Sequence, residues 1–217
     1  INSPGDAVDF GDLVTGRKNH DGASNGIAGR AVFGGGNSPD LDSIDYITMT
    51  SPGNASLFGS LSMVTVGPGA TDNGPNQRAV FLGGTRTGDA NDVIDYITVS
   101  TLGDAFDFGN LTGIGTYCNG LSNGVNDRGI RTAGLPVTNV MDYITISTPS
   151  DATDFGDLSE AKNAAVGLSN DTNERGIIAG GTKPAQSNVI DFITISSAGN
   201  GLDFGDVTGI NLKENPS

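Results

Sequence analysis

Arginine recurs at one position in four similar stretches of this sequence, each time opening a short apolar run that ends in glycine. These arginines are Arg30, Arg78, Arg128 and Arg175. A guanidinium group binds carboxylates and phosphates through two parallel hydrogen bonds, so four equivalent ones could form an anion-binding ring. They could instead pair with carboxylates inside the fold, because a buried charge needs a partner.

Aspartates that could be those partners recur in a second motif, of the form Ile-Asp-Tyr-Ile-Thr. Its four copies are 44–48, 94–98, 141–145 and 190–194; their aspartates are Asp45, Asp95, Asp142 and Asp191, and their aromatic residues are Tyr46, Tyr96, Tyr143 and Phe192. A bidentate Arg–Asp pair holds its geometry and leaves no half-buried charge unpaired. We therefore interpret the arginines as structural and expect each to pair with the aspartate of its own repeat.

A third motif, Asp-Phe-Gly-Asp, could in principle bind a metal ion. Its copies begin at Asp9, Asp154 and Asp203, and the copy at Asp107 ends in Asn110 instead of an aspartate. Calcium takes about six to eight oxygen ligands, usually from a loop with a defined spacing that is not found here. Asp40 and Asp42 share one loop and are a weaker alternative. We interpret these carboxylates as solvated strand ends and turns, and expect no metal site.

Histidine and cysteine, the residues most often used in catalysis, occur once each, as His20 and Cys118. A serine hydrolase would need His20 beside a serine in a Gly-x-Ser-x-Gly turn, and this turn is absent from the sequence. The run 34–36 is three glycines without the lysine of a phosphate-binding loop. We therefore expect no catalytic residue and no cofactor-binding residue, and predict that the protein is not an enzyme.

The charge balance limits the partners. The chain of 217 residues carries 25 acidic and 11 basic side chains, a net charge of −14. This balance disfavours nucleic acid and anionic membranes, which attract clustered lysine and arginine. No apolar run is long enough to predict membrane insertion. Because the chain starts with Ile1 and not with Met, we interpret it as a processed chain or a piece of a longer one.

The motifs recur in a fixed order, which indicates a repeat protein. The Ile-Asp-Tyr-Ile-Thr copies start at residues 44, 94, 141 and 190, so the steps are 50, 47 and 49 residues. A Phe-Gly pair recurs at Phe10, Phe58, Phe108, Phe155 and Phe204, and a Gly-x-Ser-Asn motif at Gly22, Gly120 and Gly167, with a degenerate copy at Gly69. Each motif is rich in β-branched or aromatic residues, or is bounded by turn formers, and reads as a strand.

Four antiparallel strands in one repeat of this length are typical of a β-propeller blade. We predict an all-β propeller of about four four-stranded blades in a single domain, 1–217. The approximate repeats are 14–61, 62–111, 112–158 and 159–207, with a tail at 208–217. The segments 30–36, 78–84, 128–134 and 175–181 should be equivalent strands near the propeller axis, where only small residues such as glycine fit.

The pattern resembles the kelch and galactose-oxidase-like propeller family. The residues that carry this resemblance are Arg17 or Lys18, the run 32–35 (Val-Phe-Gly-Gly) and Tyr46, with Phe58 near the place where the family has tryptophan, which this chain lacks. The copper chemistry of galactose oxidase does not carry over, since one histidine cannot supply its ligands. The Asp-Tyr-Ile-Thr-Ile and Asp-Phe-Gly-Asp-Leu motifs also resemble kelch-like repeat proteins of aquatic bacteriophages, which implies a tail-fibre or other virion protein.

From this resemblance we expect a non-catalytic structural or adhesion module of a phage virion. Four segments of variable sequence join the same two strands in each repeat and should emerge on one face: 37–43, 85–92, 135–139 and 182–188. The expected partners are other virion proteins, a host-surface receptor or a second copy of the chain. The alternative is a secreted bacterial propeller that binds a protein or glycan at the cell surface.

The fifth Phe-Gly motif leaves an extra outer strand at 7–13. Either the ring has four blades and one additional edge strand, or the chain is a section of a longer array. An unpaired strand with this apolar pattern should lie against the last repeat, a partner chain or a missing part of the polypeptide.

These assignments predict a fold that is held together by neither metal nor disulfide. The melting temperature, followed by circular dichroism, should be unchanged by a chelator or by a reductant, because there is one cysteine and no metal-binding spacing. A large drop in melting temperature with chelator would show that the aspartate-rich loops hold calcium.

Overall fold

Sixteen of the strands form four sheets of four antiparallel strands in the computed structural model, which describes residues 6–26, 29–86, 88–183 and 185–208. The first sheet contains β1 (Asp21–Ser24), β2 (Arg30–Gly34), β3 (Ser43–Thr48) and β4 (Ser56–Ser60). The second contains β5 (Gly69–Asp72), β6 (Arg78–Leu82), β9 (Val93–Thr98) and β10 (Phe106–Asn110), with a small hairpin of β7 (Thr85–Arg86) and β8 (Asp89–Ala90) inserted before β9.

The remaining two sheets repeat this plan. The third contains β11 (Asn119–Ser122), β12 (Arg128–Thr132), β13 (Thr138–Thr145) and β14 (Thr153–Lys162). The fourth contains β15 (Val166–Ser169), β16 (Arg175–Ala179), β17 (Val189–Thr194) and β18 (Leu202–Asp206). The sheets are arranged as the four blades of a β-propeller, so the predicted fold class is confirmed. Among the described residues the helical structure is limited to 3-10 turns between the first two strands of a blade.

The strand nearest the axis is the Gly-x-Ser-Asn strand of each blade, namely β1, β5, β11 and β15. The predicted equivalence of the arginine-bearing strands near the axis is confirmed for β2, β6, β12 and β16, but they stand second in each sheet and are not the strands that meet at the axis. Steric crowding explains the order. A Cβ atom on Gly120 would lie 2.2 Å from the carbonyl oxygen of Ala70, so the first strands approach too closely for larger side chains.

The glycines of three Phe-Gly motifs lie at a second close approach, between the outer strand of each of the first three blades and the turn of the next blade. Gly156 has a φ of +133°, and a Cβ there would lie 2.6 Å from the carbonyl carbon of Gly199. Gly59 and Gly109 meet the backbone of the following blade in the same way, at 2.1 Å from Gly103 and 2.5 Å from Ser150. The glycine of the motif thus allows the backbones of consecutive blades to pack closely.

The core lies between blades and not within them. Each of three apolar clusters joins one face of a blade, which we call the leading face, to the trailing face of the blade that follows. Between the first two blades, Val32, Ile44 and Phe58 of the leading face pack against Phe81 and Ile97 of the trailing face. Stability should therefore depend mainly on contacts between neighbouring blades, as in other repeat proteins.

Two alanine substitutions separate the effect of backbone conformation from that of blade packing. Gly156 and Gly205 have almost the same φ, +133° and +137°, but no atom of the described residues lies within 4 Å of the Cβ position of Gly205. Gly156→Ala should lower the free energy of unfolding by about 1–3 kcal/mol more than Gly205→Ala, since only the former overpacks a neighbouring blade. Urea denaturation of both variants measures this difference. Equal losses of unfolding free energy would contradict the role of Gly156 in close packing between blades.

Candidate functional site

A buried carboxylate is the most unusual group of each blade. Asp45, Asp95, Asp142 and Asp191 lie on the third strands and are at most 1% exposed. Each forms an ion pair with a buried cation: Arg17 with Asp45 at 2.6 Å, Arg86 with Asp95 at 2.8 Å, Arg131 with Asp142 at 2.7 Å, and Lys162 with Asp191 at 2.9 Å. Ionised carboxylates at such depth require a cation beside them.

The partners predicted for these aspartates are wrong. We expected Arg30, Arg78, Arg128 and Arg175 to pair with Asp45, Asp95, Asp142 and Asp191, but other basic residues do so. Strand register gives the reason. Arg30 is opposite Thr48, so it shares a face of the sheet with Thr48 and Tyr46, whereas Asp45 points to the other face.

The repeated arginines instead lie over the aromatic rings of their own blades. The distance from the guanidinium carbon to the ring centroid is 4.5 Å for Arg30 over Tyr46, 4.3 Å for Arg78 over Tyr96, 4.5 Å for Arg128 over Tyr143 and 4.7 Å for Arg175 over Phe192. Three of them also donate a hydrogen bond to a carbonyl of the next blade: Arg30 to Val99, Arg78 to Ile146 and Arg128 to Ile195. These contacts join blades and leave no row of guanidinium groups free for an anion.

The cations that do pair with the aspartates come from three different places in the repeat. Arg17 and Lys162 precede the repeated arginine of their blades by 13 residues (30 − 17 and 175 − 162). The same position is Thr65 in the second blade and Gly115 in the third. There the cation is supplied by Arg86 from the β7–β8 hairpin and by Arg131 from β12.

Gly115 shows how one source replaces another. A Cβ built on Gly115 would lie 3.9 Å from the guanidinium carbon of Arg131 and 2.9 Å from the sulfur of Cys118. In the third blade, the Arg131 side chain therefore fills the region that a side chain at position 115, equivalent to Arg17 and Lys162, would enter. Sequence reasoning missed all four cations, although the shared spacing of Arg17 and Lys162 was a usable signal for two of them.

Each aspartate also binds the linker that leads into its blade. The backbone N–H groups of Val14, Ser62 and Ser159 donate to Asp45, Asp95 and Asp191, and the Thr112 hydroxyl donates to Asp142. All four donors stand 16 residues before the repeated arginine of their blade. One carboxylate thus fixes both the cation and the incoming chain, which makes it a structural centre and not a reactive one.

Burial also governs the remaining reactive groups. It raises the pKa of the Cys118 thiol to about 11, so the thiol is protonated at neutral pH and is a weak nucleophile. It lowers the pKa of His20, whose ring meets Phe33 edge-on at 6.2 Å between centroids. Burial outweighs the nearby Arg131 and raises the pKa of Asp142. No group of three or more metal-ligating side chains occurs in the part of the chain that the structure describes.

An open cavity of about 580 Å³ lies on the axis at the end where the first two strands of each blade turn. Its walls are mainly glycine, hydroxyl and small apolar groups, with the carboxylates of Asp72 and Asp171. Burial, and secondarily Asp171, raises the pKa of Asp72, while its oxygens accept the N–H groups of Ser24 and Gly74. Both Asp72 oxygens are therefore used in hydrogen bonds to the backbone of the blades. No nucleophile with an adjacent base is found among the described residues that line this cavity.

The four variable segments join the second and third strands of their blades and so lie on the opposite side from this cavity. Their exposed residues include Pro39, Asp40, Asp89, Val137 and Gln186. Two of the segments also contribute contacts to the frame, by which we mean the strands of the four blades and the side chains that hold them together. Arg86 forms the ion pair with Asp95, and the Ser187 hydroxyl donates a hydrogen bond to Glu160. We call the exposed tips, residues 38–40, 88–89, 136–137 and 185–186, the loop face.

No protein-family model matches the chain, and no curated protein matches its sequence. Over the ranges that the structure describes, none of the helical segments is long and apolar enough to cross a membrane.

The cation of one blade should be transferable to the position used by another. Arg131→Ile, which places the residue of β16 (Ile178) in β12, should destabilise the protein by about 3–5 kcal/mol because Asp142 is left buried and unpaired. Adding Gly115→Lys and Cys118→Ala reproduces the set Lys162 and Ala165 of the fourth blade and should recover most of this loss.

Chemical denaturation of the single and triple variants measures the recovery. The pair Gly115→Lys and Cys118→Ala in the presence of Arg131 is the control, and should not stabilise the protein because Asp142 already has its cation. A triple variant no more stable than Arg131→Ile would show that the two cation positions are not interchangeable.

Proposed function

We propose that this protein is a non-catalytic structural or adhesion module of a bacteriophage particle, part of a tail fibre or another surface protein. The loop face is its binding surface. Other virion proteins or a receptor on the host surface are its partners. The observation that carries this proposal is the contrast between the two parts of the molecule. The polar side chains of the repeated frame are paired with one another, whereas the loop tips are exposed and differ from blade to blade.

The charged and nucleophilic side chains of the frame are held in structural contacts or in an unreactive protonation state. The buried aspartates and their cations are paired with one another, the repeated arginines stack on aromatic rings, and the Cys118 thiol is protonated. An enzyme needs a reactive group that is exposed to substrate and whose pKa suits the reaction. None of the groups named above meets this requirement, which supports a role in assembly or adhesion.

The loop face differs in chemistry from blade to blade. Asp40 and Asp89 make it acidic at the first two blades, Pro136 and Val137 make it apolar at the third, and Ala185 and Gln186 make it uncharged, with one polar side chain, at the fourth. Loops held on a rigid scaffold are common recognition surfaces. The absence of tryptophan and tyrosine from these segments favours recognition through hydrogen bonds and charge over stacking on sugar rings.

Adsorption of the labelled protein to a panel of cultured aquatic bacteria tests the binding role. A loop variant replaces residues 38–40, 88–89, 136–137 and 185–186 by Gly-Ser sequences and retains Arg86 and Ser187, so the frame is untouched. A control variant changes Thr101, Pro149 and Ala198 to serine, which are exposed turn residues on the opposite side. The loop variant should lose at least about tenfold in adsorption to a responsive strain, and the control should not.

Equal adsorption of both variants would show that the loop face is not the binding surface. Antibodies against the chain should label phage particles in electron micrographs; label on bacterial envelopes would favour the alternative, a secreted bacterial surface propeller. Turnover in a screen of hydrolase and oxidase substrates would overturn the non-catalytic proposal.

A further inference from the structure

Each blade is joined to the next by the same set of backbone contacts, made three times. Near the axis, Gly67 donates its N–H to Asn19, Tyr117 to Gly67 and Ala164 to Tyr117. A second set runs from the end of each second strand: Gly36 donates to Thr65, Gly84 to Gly115 and Gly134 to Lys162. The corresponding bonds between the fourth blade and the first are absent from the described residues.

The side-chain contacts between blades stop at the same point. Arg30, Arg78 and Arg128 reach a carbonyl of the following blade, whereas Arg175 of the fourth blade is exposed. The Asn25, Asn73 and Asn123 amides donate to Gln77, Asp127 and Glu174 of the following blade. The fourth blade therefore presents the groups of a blade interface without a partner for them in the described structure.

Apolar exposure confirms that two faces are open. On the leading face of the fourth blade, Phe204 is 56% exposed where Phe155 of the third is 2%, and Leu168 is 66% exposed where Leu121 is 4%. On the trailing face of the first blade, Met49 is 38% exposed where Val99 of the second is 0%. The two faces are complementary in kind, because leading faces pack on trailing faces at all three internal interfaces.

Residues 7–13, expected to be an extra outer strand, do not form a strand of any sheet in the described structure, because no neighbouring strand is present to pair with them. They nevertheless occupy the place of an outer strand in a blade that would precede the first. Phe10 accepts the N–H of Gly53, as Phe58 accepts that of Gly103 and Phe155 that of Gly199. A cavity of about 280 Å³ remains between this segment and the first blade, lined by Phe10, Leu13, Phe33 and Ile47 among others. At the next interface the equivalent region contains Val32 and Ile44, from the second and third strands of a complete blade.

We propose that the two open faces receive a further blade unit of the same polypeptide, which contributes three strands and uses residues 7–13 as its outer strand. A second copy of the chain fits less well. Its fourth blade already ends in β18, whose Phe204-Gly205 pair would compete with Phe10-Gly11 for one position. The occupant must therefore lack an outer strand of its own.

The sequence after β18 supports a unit entered along the same chain. Residues 207–210 read Val-Thr-Gly-Ile, and residues 111–114, which lead from the second blade into the third, read Leu-Thr-Gly-Ile. Residues 209–210 lie outside the described structure, so this comparison is one of sequence only. In the third blade the linker hydroxyl of Thr112 donates to Asp142, so the proposed unit needs an aspartate on its third strand for Thr208.

An extended chain tests the proposal. Residues 1–207 are followed by a second copy of residues 112–147, which contains the first three strands of the third blade and its linker. Phe204→Trp in this chain and in the 217-residue chain provides a unique fluorescent reporter, since the protein has no tryptophan. The matched control carries Ile144→Asp and Ile146→Asp in the added copy only, because those residues form the trailing face of that unit.

The extension should shift the tryptophan emission to shorter wavelength, reduce acrylamide quenching severalfold, and raise Tm by about 5 °C while the chain remains monomeric by light scattering. The aspartate control should leave the tryptophan reporter as quenchable as in the 217-residue chain. Deleting residues 1–13 should then lower Tm more in the extended chain than in the 217-residue chain, since residues 7–13 would pair with a strand only in the former.

A second extension, with a copy of residues 62–99 from the second blade, guards against misfolding of one particular unit. If neither extension protects the tryptophan reporter relative to the control, the proposal is wrong. It is equally overturned if the 217-residue chain dimerises and protects that reporter in a concentration-dependent way, because the open faces would then bind a second copy.

Discussion

The buried carboxylate on the third strand of each blade is the constraint on which the rest of the structure depends. Its burial is costly unless a cation and hydrogen-bond donors surround it. Four blades meet this requirement with cations from three different positions, as Arg17, Arg86, Arg131 and Lys162 show. The acid is therefore the constant element, and the source of the positive charge is free to vary so long as it reaches the same point.

The same carboxylate couples a blade to the chain that precedes it. By accepting a hydrogen bond from the linker, Asp95 and its equivalents fix the path from the outer strand of one blade to the inner strand of the next. The contacts between blades then repeat with little change: an axial backbone ladder, an arginine that reaches across, and an apolar cluster. Such an array is stabilised by neighbours, which explains why its two end faces retain the character of interfaces.

The distribution of charge also bears on the proposed function. Most of the basic residues within the blades support structure, by pairing with buried aspartates or by stacking on aromatic rings, and this leaves an acidic surface overall. The loops are free of this duty at their tips, so their composition can change without loss of the frame. A rigid scaffold that carries loops of differing composition fits the adhesion role proposed above.

The sequence by itself determined the repeat, the all-β class, the four strands of each blade and the loops that share one side, because these follow from local alternation and spacing. Tertiary structure decided the rest. The pairing of Arg30 with Asp45 was predicted wrongly, because strand register sets which face each side chain occupies. The true cations lie at different sequence separations from their aspartates, 28 residues for Arg17 and 9 for Arg86. Which strand meets the axis, and which faces stay open, depends on how whole blades approach one another, and no local pattern encodes that distance.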